Sequence, residues 1–127
     1  MRHDLVIRSS GEDYLETVLI LQKEKGVVRS IDVGRFLGVS KPSVSNAVDL
    51  LQKGGFLIKD SDYLLSLTDF GCEIAERTYE KHRFFTELLT SAGVDPALAE
   101  QDACRMEHMI SQQSFERLRD AYNAHKK

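Results

Sequence analysis

Cys104-x-x-Glu107-His108 places a thiol, a carboxylate and an imidazole at i, i+3 and i+4, positions that share one face of an α-helix. These are donors that bind transition metals. A closed site wants at least one further donor from another element, and Asp13 and Glu16, also spaced i and i+3, are the nearest candidates in type and pattern. Each has an ordinary reading on its own: acids suit a first helical turn, and a single cysteine is often a small buried hydrophobe. Only their combination points to metal. Cys72 has no such neighbours and reads as structural, while His3, ahead of the first helix, and His125, near the tail, read as solvated.

The elements that must position these donors are bounded by composition. A chain of 127 residues with 42% hydrophobic content can bury the core of one domain or of two small subdomains. The apolar runs Leu15 to Leu21 and Val44 to Leu51 are interrupted by polar residues and fall short of a membrane span, and no signal-peptide pattern opens the chain. A cytoplasmic protein with no membrane partner is expected, its two cysteines reduced. The net charge of −3 is uneven: residues 1–67 carry nine basic and nine acidic side chains, residues 68–127 eight and eleven. An electrically balanced N-terminal part neither establishes nor excludes DNA binding, because a local patch outweighs the total.

Leu15, Val18, Leu19 and Leu21 recur at helical spacing between Glu12 and Lys23, with Gly26 as a stop. Ser30 can cap a short second helix to Leu37, ended by Gly38. Ser40 can cap a third, with Pro42 in its first turn and Val44, Ala47, Val48, Leu50 and Leu51 facing inward. Two helices joined so tightly form a helix-turn-helix, whose second member offers a polar N-terminal face to the major groove. Phe56 to Lys59 and Tyr63 to Leu67, joined by Asp60-Ser61-Asp62, suit a β-hairpin wing. Thr68 with Asp69 opens a long helix to about Ser91; Asp95-Pro96 opens another to about Ile110; Ser114 to His125 forms the last. The fold expected is mainly α: a winged helix-turn-helix DNA-binding domain with a small hairpin wing over residues 1–70, then an all-helical metal-binding and dimerisation domain over residues 71–127. Phe84, Phe85, Leu88 and Leu89 form one apolar stripe, and Phe115, Leu118 and Tyr122 a second, for core or dimer packing.

Four motifs carry a family likeness: Glu12-Asp13-Tyr14-Leu15-Glu16, Val39-Ser40-Lys41-Pro42-Ser43-Val44-Ser45, Lys81-His82-Arg83, and Ala103-Cys104-Arg105-Met106-Glu107-His108. In them, and in its layout, the chain resembles the diphtheria toxin repressor and manganese transport regulator family of metal-dependent transcriptional repressors, in the short form without the SH3-like domain. The resemblance implies metal binding by Asp13, Glu16, His82, Glu107 and His108. Cys104 stands where the manganese branch has a carboxylate and the iron branch a cysteine; the iron branch has a methionine where this chain has Asp13. The site is a hybrid. Carboxylates suit Mn(II), whereas a thiolate draws preference toward Fe(II) and later ions, so Mn(II) or Fe(II) is expected, with Co(II) or Zn(II) able to substitute. The resemblance also implies an ancillary ion at His82 with Glu100, although Thr86 stands at the family's ancillary carboxylate position, with Glu87 one residue off. For DNA, it assigns contacts to Ser40, Pro42 and Asn46. Lys41, Ser43 and Ser45 lie on or near the same face, and Lys59 of the wing is a phosphate candidate.

A homodimeric repressor of Mn(II) or Fe(II) uptake genes, activated by metal and bound to double-stranded operator DNA, is therefore expected. Without metal the carboxylates repel and the winged domains sample many orientations; metal narrows that ensemble. Two other classes keep a place: a winged-helix regulator responding to an organic ligand or to thiol oxidation, and a small metalloenzyme in which an open metal activates water.

Overall fold

A computed structural model describes residues 9–126 and orders them α1–α2–α3–β1–β2–α4–α5–α6; His3 lies outside them. The chain divides into two compact units inside α4, after Glu76.

In the first unit, α1 (Ser9–Lys25) buries Leu15, Val18 and Leu19, the i, i+3, i+4 stripe read from the sequence. The start of α2 (Ser30–Leu37) differs from expectation, because the N-cap is Arg29 rather than Ser30. Asp32 decides this: its Oδ2 accepts the Arg29 backbone N–H at 2.9 Å, and its Oδ1 accepts from Lys25 Nζ at 3.0 Å. The Arg29 amide first, and Lys25 second, hold the Asp32 carboxyl below the usual carboxylate range. Gly38 ends α2 in the left-handed region at φ +69°, a conformation that costs glycine little, and this makes the turn into the next helix tight.

Helix α3 (Lys41–Lys53) begins as the sequence indicates, with Ser40 Oγ accepting the Ser43 N–H at 3.3 Å and Pro42 in the first turn. Its buried stripe is Val44, Val48 and Leu51, at i, i+4 and i+7. Leu50, expected inside, is 68% exposed, since a step of about 100° from Leu51 carries it off that stripe.

The wing is an antiparallel pair, β1 (Leu57–Lys59) and β2 (Leu65–Leu67), with Leu57 opposite Leu67 and Lys59 opposite Leu65. Both strands are shorter than the apolar segments that encode them. Asp60 Oδ1 accepts the N–H groups of Asp62 and Leu64 at 2.8 and 3.0 Å, and Tyr63 turns through φ +64°, so beyond the cross-strand bond from Asp60 N–H to Leu64 O the turn is held by local bonds. Leu65 N–H instead donates to Val28 O at 2.8 Å, tying the wing to the segment before α2. Buried Phe56 stacks on Phe70 at 4.8 Å between ring centroids. A Cβ on Gly71 would lie 1.9 Å from the Phe56 carbonyl oxygen, so only glycine lets α4 (Asp69–Ser91) start this close to the wing.

In the second unit, α4 continues beside α5 (Pro96–Met106) and α6 (Gln112–Lys126). Asp95 caps α5 through the Ala97 and Leu98 N–H groups, and Ser111 Oγ accepts the Ser114 N–H at 3.1 Å, so α6 begins two residues before its expected start. Phe85, Ala103 and Phe115 form the core, with Phe84, Leu88, Met106 and Ile110 packed on it. Phe84 meets Phe115 and Tyr122 edge-on, both at 5.5 Å. Leu118 of the α6 stripe stays about half exposed, as does Leu98 on α5, which leaves apolar surface on this unit. Among the described residues no helix is long and apolar enough to cross a membrane.

Candidate metal centre

Helix α5 was expected to reach Ile110, and it stops at Met106. Glu107 is the C-cap, still in helical conformation, and its N–H bonds Ala103 O at 2.9 Å. The next N–H, of His108, turns to Arg105 O at 3.3 Å, one residue nearer than an α-helix requires. Cys104 and Glu107 thus keep the i, i+3 relation, while His108 lies beyond the helix on a tighter turn.

That turn drives Glu107 inward until it is 1% exposed, whereas Cys104, one helical turn earlier, is exposed and outside any disulfide. Helix α4 brings His82 to the same point. His82 Nδ1 lies 2.9 Å from Glu107 Oε1, and His108 Nε2 lies 3.3 Å from Glu107 Oε2. Thr86 Oγ1 donates to His82 O at 2.7 Å, so the residue at the family's ancillary carboxylate position spends its hydroxyl on the backbone.

Glu107 Oε2 is sealed from solvent yet accepts no aligned hydrogen bond among the described residues; the His108 ring approaches it at ion-pair distance but off the hydrogen-bond direction. A buried, unsatisfied acceptor costs about 1–3 kcal/mol, and more when it is charged. A cation beside Glu107 would remove that cost, and imidazole, carboxylate and thiol are the donors a divalent transition ion takes. On α1, Asp13 and Glu16 stand one turn apart on one face, Asp13 half-buried and Glu16 buried.

The ancillary pair fares differently. Glu87 Oε2 accepts from Lys126 Nζ at 2.6 Å and from the Tyr122 hydroxyl at 3.4 Å, and the Lys126 hydrogen bond, above other causes, holds its carboxyl below the usual range. Glu100 is exposed, and neither residue belongs to a triad of converging donors among the described residues.

On the first unit, Ser40, Lys41, Pro42, Ser43, Ser45 and Asn46 are all exposed around the N-terminal turns of α3. Ser40 and Ser43 satisfy each other through their hydroxyls at 3.0 Å, so this face is locally ordered while open to water. Lys59 on β1 is half-buried, its Nζ 5.6 Å from the centre of the Tyr63 ring.

Known proteins match both units. The family described as "iron dependent repressor, N-terminal DNA binding domain" matches residues 7–63, and "iron dependent repressor, metal binding and dimerisation domain" matches residues 68–127. Two curated relatives, the HTH-type transcriptional regulators MntR of Bacillus velezensis and of Lysinibacillus sphaericus, are 34% and 32% identical over 87% of this chain, covering 78% and 80% of their own lengths. The chain belongs to the iron-dependent repressor and MntR family. Solved structures agree: the manganese regulator SloR (28% identity, TM-score 0.78, 89% of this chain) and IdeR of T. acidophilum (27%, 0.74, 88%). The chain spans about half of each of those two, 53%. The family likeness read from the four sequence motifs is therefore correct, as is the mainly helical, winged-helix fold class. This is a family of transcriptional regulators, so the chain is not an enzyme and the hydrolytic reading falls.

Proposed function

We propose that the protein is a homodimeric, cytoplasmic, metal-activated repressor that binds double-stranded operator DNA and controls genes of Mn(II) or Fe(II) uptake. One observation carries the metal half of this reading: the Glu107 carboxylate, buried against His82 and His108 with an unsatisfied oxygen. The sequence motifs add Asp13 and Glu16 of α1 and the Cys104 thiolate to the donor set. A divalent ion, when bound, supplies the positive charge that these carboxylates lack and favours the thiolate form of Cys104. A metal would take a ring nitrogen of His82 and of His108 in the unprotonated form, and Glu107 offers Oε2 at no cost in broken hydrogen bonds.

Metal binding shifts the protein toward a DNA-competent population. Raising a competent population from 1:99 to 99:1 takes about 5.5 kcal/mol of preference. Lys41 and Lys59 serve phosphates, Asn46 a base edge, and Pro42 a thymine methyl. The half-exposed Leu98 and Leu118 offer apolar surface for the second copy.

Operator binding tests this directly, measured anaerobically at matched free Mn(II), Fe(II), Co(II) and Zn(II) for the wild type, Asp13→Asn and Cys104→Glu. Metal-dependent binding is expected in the wild type, weakened at least tenfold in Asp13→Asn and shifted toward Mn(II) in Cys104→Glu. Undiminished specific binding in chelator would instead favour a regulator of the organic-ligand or thiol-oxidation kind. An unaltered metal order in Cys104→Glu would remove the thiol from selectivity.

A further inference from the structure

A groove of about 340 Å³ runs between α2 and the first turns of α3, floored by Ile31, Gly34, Val39 and Val44 and flanked by Arg35 and Lys41. Three features set it apart from an incidental dimple. Its floor is set by a close approach of α2 to α3: a Cβ on Gly34 would come within 3.3 Å of Val44 Cγ2 and 3.4 Å of Val39 O. Its two cations are exposed, and neither is in an ion pair among the described residues. The acid one turn before Arg35, Asp32, spends its hydrogen bonds on the Arg29 amide and Lys25 and meets Arg35 only through space, the last of the causes that lower its pKa. Two exposed cations therefore flank an apolar floor in which Ile31 and Val39 are 46% and 40% exposed.

The occupant follows from that chemistry and from location. Lys41 and Ser45 of the helix offered to the major groove form one wall, so a duplex seated on α3 passes over the groove's mouth. A backbone unit has the matching parts: an anionic phosphodiester for the cations and a deoxyribose whose C–H face suits an apolar floor. We infer that this groove is a sugar–phosphate subsite, in which Arg35 together with Lys41 grips one phosphate of each half-site and Ile31 and Val39 receive the adjoining sugar. The inference rests on the operator-binding reading and adds Arg35, which the family motifs do not assign. Arg35 acts on affinity and register, not on base choice.

The test uses Mn(II)-loaded protein and two duplexes: one selected from random-sequence DNA by the wild type, and a scrambled one of equal length. Binding is measured across a salt series for the wild type, Arg35→Gln and Arg35→Lys, with circular dichroism confirming the fold. Each phosphate contact contributes about 0.9 to the slope of log K against log salt, so Arg35→Gln should flatten the slope by about 2 for a dimer on two half-sites. Affinity should fall on both duplexes alike, and Arg35→Lys should keep the wild-type slope. An unchanged slope in Arg35→Gln, or a loss confined to the selected duplex, would overturn the subsite while leaving operator binding intact. A wild type that binds no duplex with metal would sink the operator-binding reading and the subsite with it.

Discussion

The exposed face of α3 and the buried turn at Glu107 handle polar groups in opposite ways. On α3, Ser40 and Ser43 satisfy one another, Lys41 and Asn46 reach into water, and nothing polar is sealed away. At the end of α5, a carboxylate is buried against two imidazoles with one oxygen unsatisfied. The first surface is stable as it stands and exchanges water for a polyanion with little reorganisation. The second carries an unsatisfied buried oxygen, and a cation bound there would link the folded state to what it binds. On the proposed function, the difference teaches that reading DNA and sensing metal fall to regions with opposite solvation.

The hardest test of this contrast is Glu107→Gln, which keeps the shape and removes the charge. Metal at about 100 times Kd stabilises a single-site protein by about 2.7 kcal/mol, and that increment, read as the metal-induced rise in Tm, should vanish in the variant. Its metal-free melting temperature should stay near the wild-type value, because the glutamine oxygen can still accept from His82 Nδ1. A metal-free protein that unfolds far more easily than the wild type would show that Glu107 is a satisfied structural group, and the contrast would break.

Asn46→Ala sharpens the other side. An exposed base-reading residue should cost about 1–3 kcal/mol in operator affinity with specificity relaxed at one position, and leave both Tm and its metal response unmoved. Loss of Tm instead would place Asn46 among the residues that build the unit.

The smallest effect belongs to Asp32, which is polar and well satisfied. Asp32→Ala removes the acceptor for the Arg29 amide and should destabilise the protein by about 1 kcal/mol in denaturant melts, the size of a lost cap. Because the folded protein lowers the Asp32 pKa, chiefly through that amide and then Lys25, the stabilisation is complete above the unfolded value of about 3.9 and is lost as pH falls through the lower folded value. The wild-type advantage over Asp32→Ala should therefore be full at neutral pH and close below about pH 4. An advantage persisting at acid pH would mean that the helix start depends on something other than this carboxylate.

Much of this was legible in the chain. Helical stripes such as Leu15, Val18 and Leu19, the Ser40 and Asp95 caps and the glycine stops place the helices, because period and capping are local properties. The hairpin was legible as apolar segments but too long, since the side chain of Asp60 competes with the ladder for N–H groups. Leu50 misled because an apolar residue next to a stripe looks like part of it. Ser30 misled because a good cap residue lost to Asp32 three residues into the turn. In the site, residue types and the Cys104 to His108 spacing were readable, but the helix break between Met106 and His108 was not: no glycine or proline marks it.

The sequence by itself determined the donor types, the order of the elements and the polar face of α3, because these depend on residues a few positions apart. Only the tertiary structure decided which carboxylate is buried with one oxygen short of a hydrogen bond. Burial is a property of what packs around a residue, here His82 from a helix 25 residues earlier in the chain. A carboxylate that looks ordinary in the chain becomes, at Glu107, a buried group with one oxygen unsatisfied.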